Sequence, residues 1–301
     1  MDIPLLQERF GGRAPQVRAE SCLNARHRHA DCTRCVDACA PAAIALEDRL
    51  PELDPDLCVH CGACVATCPT DVFSQLSPPE KTLALTFEQL PGAAPLELIC
   101  SLVEPAKTTH APVAARVQHR RCLAALTPEQ LLTLSGDGAR PLWLDDSACA
   151  ACPLHPAHAV IRASVATVNG LLAAVGRTPS LALHTEDADR LLDEPIQRPV
   201  LDGMRPQVSR RGFFGALRKM AEDRVEQALE EEPAPMLRAA APVDQRLPRQ
   251  LPPSRKRLLD RLARLASFEE AAEAPLDREV PLAGLPFAAV HVDPAACSGC
   301  G

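Results

Sequence analysis

The chain has 301 residues, enough for two or three domains of ordinary size. Its 39 acidic and 32 basic side chains leave a net charge of −7, and it has no tyrosine, one tryptophan and seven phenylalanines. Neither the charge nor the aromatic content suits a general nucleic-acid binder.

The start, MDIPLLQERFGG, lacks the basic and then apolar order of an export signal. No run of eighteen or more apolar residues occurs, so no membrane span is expected. Fourteen cysteines in such a chain read as metal ligands rather than disulfides, and a reducing, cytoplasmic setting follows as an expectation.

Residues 1–78 hold eight of these cysteines in two similar halves. The first half, RHRHADCTRCVDACAP, has Cys32, Cys35 and Cys39 at the spacing C-x2-C-x3-C. The second, CVHCGACVATCP, has Cys58, Cys61, Cys64 and Cys68 in a complete C-x2-C-x2-C-x3-C-P run. Each half reads as a cysteine loop, a short helical turn and an extended segment (AIALE, VFSQL). So few large apolar side chains make a small core, and bound metal would replace it. Cys22 is the only cysteine upstream of the first half.

Residues 79–185 change character. LELIC predicts a strand ending at Cys100 and ARVQHRRC another ending at Cys122. TPEQLLTLSGDG predicts a helix with Thr127 as N-cap, Pro128 first and Gly136 as its stop. PLWLDD predicts a strand leading into Cys149 and Cys152. PAHAVIRASVATVNGLLAAVG predicts a helix whose buried face carries Ala159, Ile161, Val165, Val168, Leu171 and Leu172, and SLALHT a final strand. Alternating strands and helices imply an α/β domain with an open parallel sheet. Its cysteines follow strands, whose ends share one sheet edge, where ligands collect.

Residues 186–285 read as a charged, proline-rich, partly helical linker. The chain has 30 prolines, about twice the usual share, concentrated near residues 233–253. SRRGFFGALRKMAEDRVEQALEEE and SRKRLLDRLARLASF, the latter through Leu258, Leu259, Leu262 and Leu265, are amphipathic. Either suits docking on a partner or packing on its own domain. Residues 286–301 end in VHVDPAACSGCG, where Cys297 and Cys300 open a further run like the second one. The expectation is a truncated ferredoxin module, and so a fragment of a longer protein.

The two N-terminal runs closely resemble bacterial dicluster ferredoxins, an α+β fold holding two 4Fe–4S clusters. In that family the fourth cysteine of each run ligates the other run's cluster. Carried over, Cys39, Cys58, Cys61 and Cys64 would hold one cluster, and Cys32, Cys35 and Cys68 the other, with one ligand outstanding. Cys22 fills the vacancy, although nine residues separate it from Cys32 where the family has two; the alternative is a three-ligand 3Fe–4S cluster. Zinc is the other alternative for these eight thiols.

ICS, RCLAALTPEQLLTL and DDSACAAC resemble, over about residues 95–175, the delta-subunit domain of methyl-viologen-reducing hydrogenase. That resemblance implies a 2Fe–2S cluster at Cys100, Cys122, Cys149 and Cys152. The family's additional cysteine near the first is absent here. Zinc, with His155 and His158 as further candidate ligands, and plain core cysteines remain open. His27, His29 and His60 flank the clusters and would tune them or be solvated.

No Ser/His/Asp set, phosphate loop or flavin fingerprint appears. The reading is an electron-transfer protein or subunit within a larger oxidoreductase, with redox proteins as partners. An iron–sulfur or zinc regulatory or scaffold protein is the alternative.

Overall fold

The computed structural model describes residues 2–27, 29–75, 79–103, 106–206 and 252–268. Helix α1 (Ile3–Phe10) starts at Asp2, whose side chain accepts from the Leu5 N–H, and stops at Gly11 with φ 62°. It is followed by β1 (Gln16–Val17), α2 (Leu23–Arg26), α3 (Arg34–Asp37), β2 (Ile44–Glu47), β3 (Leu50–Leu53), α4 (Ala63–Thr67) and β4 (Phe73–Ser74). β1 pairs antiparallel with β4, bringing Val17 opposite Phe73. β2 and β3 form a hairpin, and Asp48 and Arg49 at its tip take the positive φ that a tight two-residue turn needs. Each predicted cysteine loop thus leads into a short helix and a short strand.

The second part holds α5 (Pro79–Glu88), β5 (Leu96–Cys100), β6 (Thr108–Thr109), β7 (Ala115–His119), α6 (Pro128–Leu134), β8 (Leu142–Leu144), α7 (His158–Ala174), β9 (Leu181–Leu183), β10 (Ile196–Gln197) and β11 (Val200–Asp202). α6 has the predicted cap: the Thr127 hydroxyl accepts from the Gln130 N–H while the Gln130 side chain accepts from the Thr127 N–H. Five strands form a parallel sheet in the order β11-β7-β5-β8-β9.

β11 corrects the expected boundary at residue 185. The stretch up to residue 202 is not linker, because β11 completes the sheet beside β7 and β10 pairs with β6. In α7, Ile161, Val165, Val168, Leu171 and Leu172 face the core as expected, but Ala159 is exposed and Val160 takes the buried place. Residues 155–174 reach a mean hydropathy of 1.2, the length and composition of a membrane-crossing helix, yet their apolar side packs on α6 and β9.

The core ignores the division at residue 78. Leu6, Phe10, Ala38, Val59, Cys61 and Ala63 belong to the same buried cluster as the sheet residues Leu98, Val117 and Leu144. Cys22, Ile44, Cys64, Val72 and Phe73 form a separate small core, and Ala111, Val113, Trp143 and Ala182 another beside the sheet. Helix α8 (Pro253–Phe268) fastens both parts. Its Ser254 N–H donates to Asp71 at 2.8 Å, Arg261 pairs with Asp137 and donates to the Thr133 hydroxyl, and Leu258 and Leu265 are buried. This second amphipathic segment therefore packs on its own chain. The SRRGFF segment and Cys297 and Cys300 lie outside the described residues.

Candidate metal centres

All twelve described cysteines are free thiols, and they gather in three sets. The first lines a single cavity: Cys22, Cys32, Cys35 and Cys68, with Val72, Phe73 and Pro51 as apolar walls. Cys22 reaches it because the chain after it turns away as α2, and the described residues 29–31 lead back to Cys32. Asn24, itself buried, holds that turn by accepting from the Cys32 N–H at 2.8 Å and donating to the Cys32 and Arg49 carbonyls. The long spacer is thus accommodated without displacing Cys22 from the cavity. Burial, with the Cys68 thiolate beside it, pushes the Cys35 thiol up to about 11, and the Val72 N–H donates to Cys68 Sγ at 3.5 Å.

The second set is Cys39, Cys58, Cys61 and Cys64. Burial raises all four thiols, and their mutual repulsion raises three of them further: Cys39 acts on Cys58, Cys61 and Cys64. For Cys61 the result is about 11. Backbone N–H groups oppose this, those of Ala43, Ile44 and Ala42 at Cys39 and that of Ala63 at Cys61. The fourth cysteine of each run therefore lies with the three thiols of the other run. Free thiols packed so that they destabilise one another's charge, with N–H groups aimed at sulfur, form a donor set suited to a cation-rich cluster and poorly suited to bare thiolates.

The third set stands at the carboxyl edge of the parallel sheet. Cys100 ends β5, Cys122 follows β7 by three residues, and Cys149 and Cys152 sit in the turns after β8. Burial, then the neighbouring Cys100 thiolate and the Asp146 carboxylate, pushes Cys149 up to about 12. Cys122 is raised well above its ordinary value by burial, with Cys61, Cys100 and Cys149 adding to it; Cys152 acts on Cys100. The Leu154 N–H donates to Cys152 Sγ at 3.4 Å.

The candidate histidine ligands have other engagements. His158 Nε2 lies 2.8 Å from Asp146 Oδ2, and Asp146 also accepts from Thr185, tying α7 to the ends of β8 and β9. His155 is exposed. Burial lowers His60, whose Nδ1 is 3.2 Å from the Gly11 carbonyl. His27 is exposed.

Sequence reasoning missed two buried charged groups. Glu97, Asp145 and His184 could by spacing hold a cation. Both carboxylates are already paired with Arg116, which donates to Glu97 at 2.7 Å, to Asp145 at 2.9 Å and to the Ala106 and Thr108 carbonyls. That network is an ion-paired girder under the third thiol set, not a metal centre. The other group is Arg121 with Glu80 and His119, beside the second thiol set. The basic pair Arg120–Arg121 in VQHRRC was the available signal, but arginines before a cysteine look like any exposed ones.

Residues 30–72 match the family described as the 4Fe-4S dicluster domain. The chain is 37% identical over 60 residues to the ferredoxin-type protein NapF of Escherichia coli K12, and to the NapF proteins of strains O6:H1 and O157:H7. The aligned stretch is 18% of this chain and 35% of each relative, so the chain spans about a third of the length of these curated relatives. No solved structure matches it. The chain carries an N-terminal 4Fe–4S ferredoxin domain, the class of module that performs iron–sulfur electron transfer. The family match takes in seven of the eight N-terminal cysteines, omits Cys22, and ends before the parallel sheet.

Proposed function

We propose that this chain is a multi-centre electron carrier working inside a larger cytoplasmic oxidoreductase. Cys22, Cys32, Cys35 and Cys68 would hold one 4Fe–4S cluster, and Cys39, Cys58, Cys61 and Cys64 the second. Cys100, Cys122, Cys149 and Cys152 would hold a third, 2Fe–2S centre. Such clusters supply one-electron exchange when bound; the protein supplies burial, ligation and N–H groups directed at sulfur.

The observation carrying this reading is that the three sets follow one another through the molecule. Cys35 acts on Cys64, and Cys61 acts on Cys122, so neighbouring sets stand side by side. Between the second and third sets, α4 packs on the turn Leu123–Ala125. A regulatory or scaffold protein would have no need of adjacent sets, whereas a carrier does.

The test is iron and acid-labile sulfide on the full chain purified anaerobically. The expected content is about ten irons and ten sulfides from these three sets, plus whatever Cys297 and Cys300 bind. Eight of each would remove the third centre, and zinc in place of iron would remove the carrier reading altogether.

A further inference from the structure

Arg121 is a buried guanidinium at the join between the ferredoxin domain and the sheet. Its side chain is 4% exposed. One terminal nitrogen lies 3.8 Å from where a Cβ on Gly62 would stand, inside the Cys61–Gly62–Ala63 loop. It donates to the Gln75 side chain, and its Nε has no hydrogen-bond partner among the described residues. Its carboxylate partner, Glu80, is 3.8 Å away and equally buried, and also sits 3.2 Å from His119. Arg121 therefore stands against the Cys61–Gly62–Ala63 loop with only a long ion pair to Glu80 to offset its charge.

We propose that Arg121 is the residue that sets the reduction potential of the centre at Cys39, Cys58, Cys61 and Cys64, raising it above that of the Cys22 centre. This inference rests on the cluster reading above. Reduction adds one negative charge to a centre already bound by four thiolates. A fixed positive charge in a low-dielectric site stabilises that added charge. The first centre has a cation too, Arg34, at its cavity, but Arg34 is exposed, so water and salt screen it. Of the two ferredoxin centres, the asymmetry makes the one beside Cys122 and the third thiol set the better electron acceptor.

The experiment is a redox titration of the full chain followed by paramagnetic resonance, with the middle centre identified as the signal lost in Cys61→Ser. Arg121→Gln is expected to shift the middle potential downward by about tenfold in the one-electron equilibrium, roughly 59 mV, leaving the first centre in place. Glu80→Gln, which removes the compensating charge, is expected to shift it upward. Arg121→Lys keeps the charge and is expected to restore most of the wild-type value, which also covers the case in which Arg121→Gln does not fold. Full iron content with a middle potential unmoved in both charge-removing variants overturns the assignment to Arg121 alone. Wild-type protein without iron–sulfur signals overturns the cluster reading itself, and this inference with it.

Discussion

Gly62 faces Ala125 so closely that a Cβ on Gly62 would come within 2.6 Å of the Ala125 Cβ and 3.2 Å of its Cα. This pair is a close join between the ferredoxin domain and the part that holds the sheet, and it lies one residue from Cys61 and three from Cys122. Gly62 also has φ 85°, which a side chain rarely adopts. Gly62→Ala combines that strain with overpacking and is expected to cost about 2 kcal/mol. Thermal unfolding of the full chain checks it; a melting temperature equal to wild type would mean the join is loose.

The exchange of fourth cysteines between runs has its own signature. Cys68→Ala is expected to damage the same centre as Cys22→Ala, converting it to a 3Fe–4S form or abolishing it. Cys39→Ala should damage the other. Paramagnetic resonance of the three variants separates the cases. If Cys22→Ala leaves both 4Fe–4S signals intact, the cavity's fourth ligand is something else.

For the third set, Cys100→Ser, Cys122→Ser, Cys149→Ser and Cys152→Ser should each lower the iron content of the full chain by about two, because a 2Fe–2S centre needs all four thiolates. Melting temperature should fall with it, since ligands drawn from separate strands couple binding to folding. Unchanged iron in all four variants would make these core cysteines.

The girder under the sheet makes stability depend on pH in a definite direction. Burial opposes charge on His184, but Glu97 at 2.8 Å and the Asp145 charge outweigh it, so its pKa is raised above 6.5. A raised histidine contributes stability that is complete below about 6.5 and is lost as pH rises through the folded value. The stability difference between wild type and His184→Gln, measured by denaturant titration, should therefore be largest near pH 6 and shrink toward alkaline pH. A difference that grows with pH would show that His184 is held neutral.

Spacing made much of the site legible. A C-x2-C-x2-C loop is local, so three thiols converge whatever surrounds them, and Cys58, Cys61 and Cys64 could be grouped on sight. Thr127 and Gln130 announced α6 equally well, since a capping box is completed within one turn. β11 was not legible: two half-buried residues and an exposed aspartate after a proline carry no periodicity, and only the open side of β7 makes them a strand. The burial of Val160 rather than Ala159 was likewise a matter of how α7 is rotated on its neighbours, because adjacent positions lie 100° apart on a helix and a small rotation exchanges them.

By itself, the sequence determined the number and grouping of the cysteine loops, the alternation of strand and helix that makes a parallel sheet, and the placing of strand-end cysteines on one edge. These depend on contacts a few residues apart or on rules of strand direction that any such chain obeys. Tertiary structure alone decided that Cys22 reaches the first cavity across its long loop, that Cys61 stands beside Cys122, and that Arg121 and Glu80 are buried between them. Those relationships join residues separated by about ten to sixty positions, through a core shared by both halves of the chain. Close packing of that core, rather than any local preference, selects which side chains end up as neighbours.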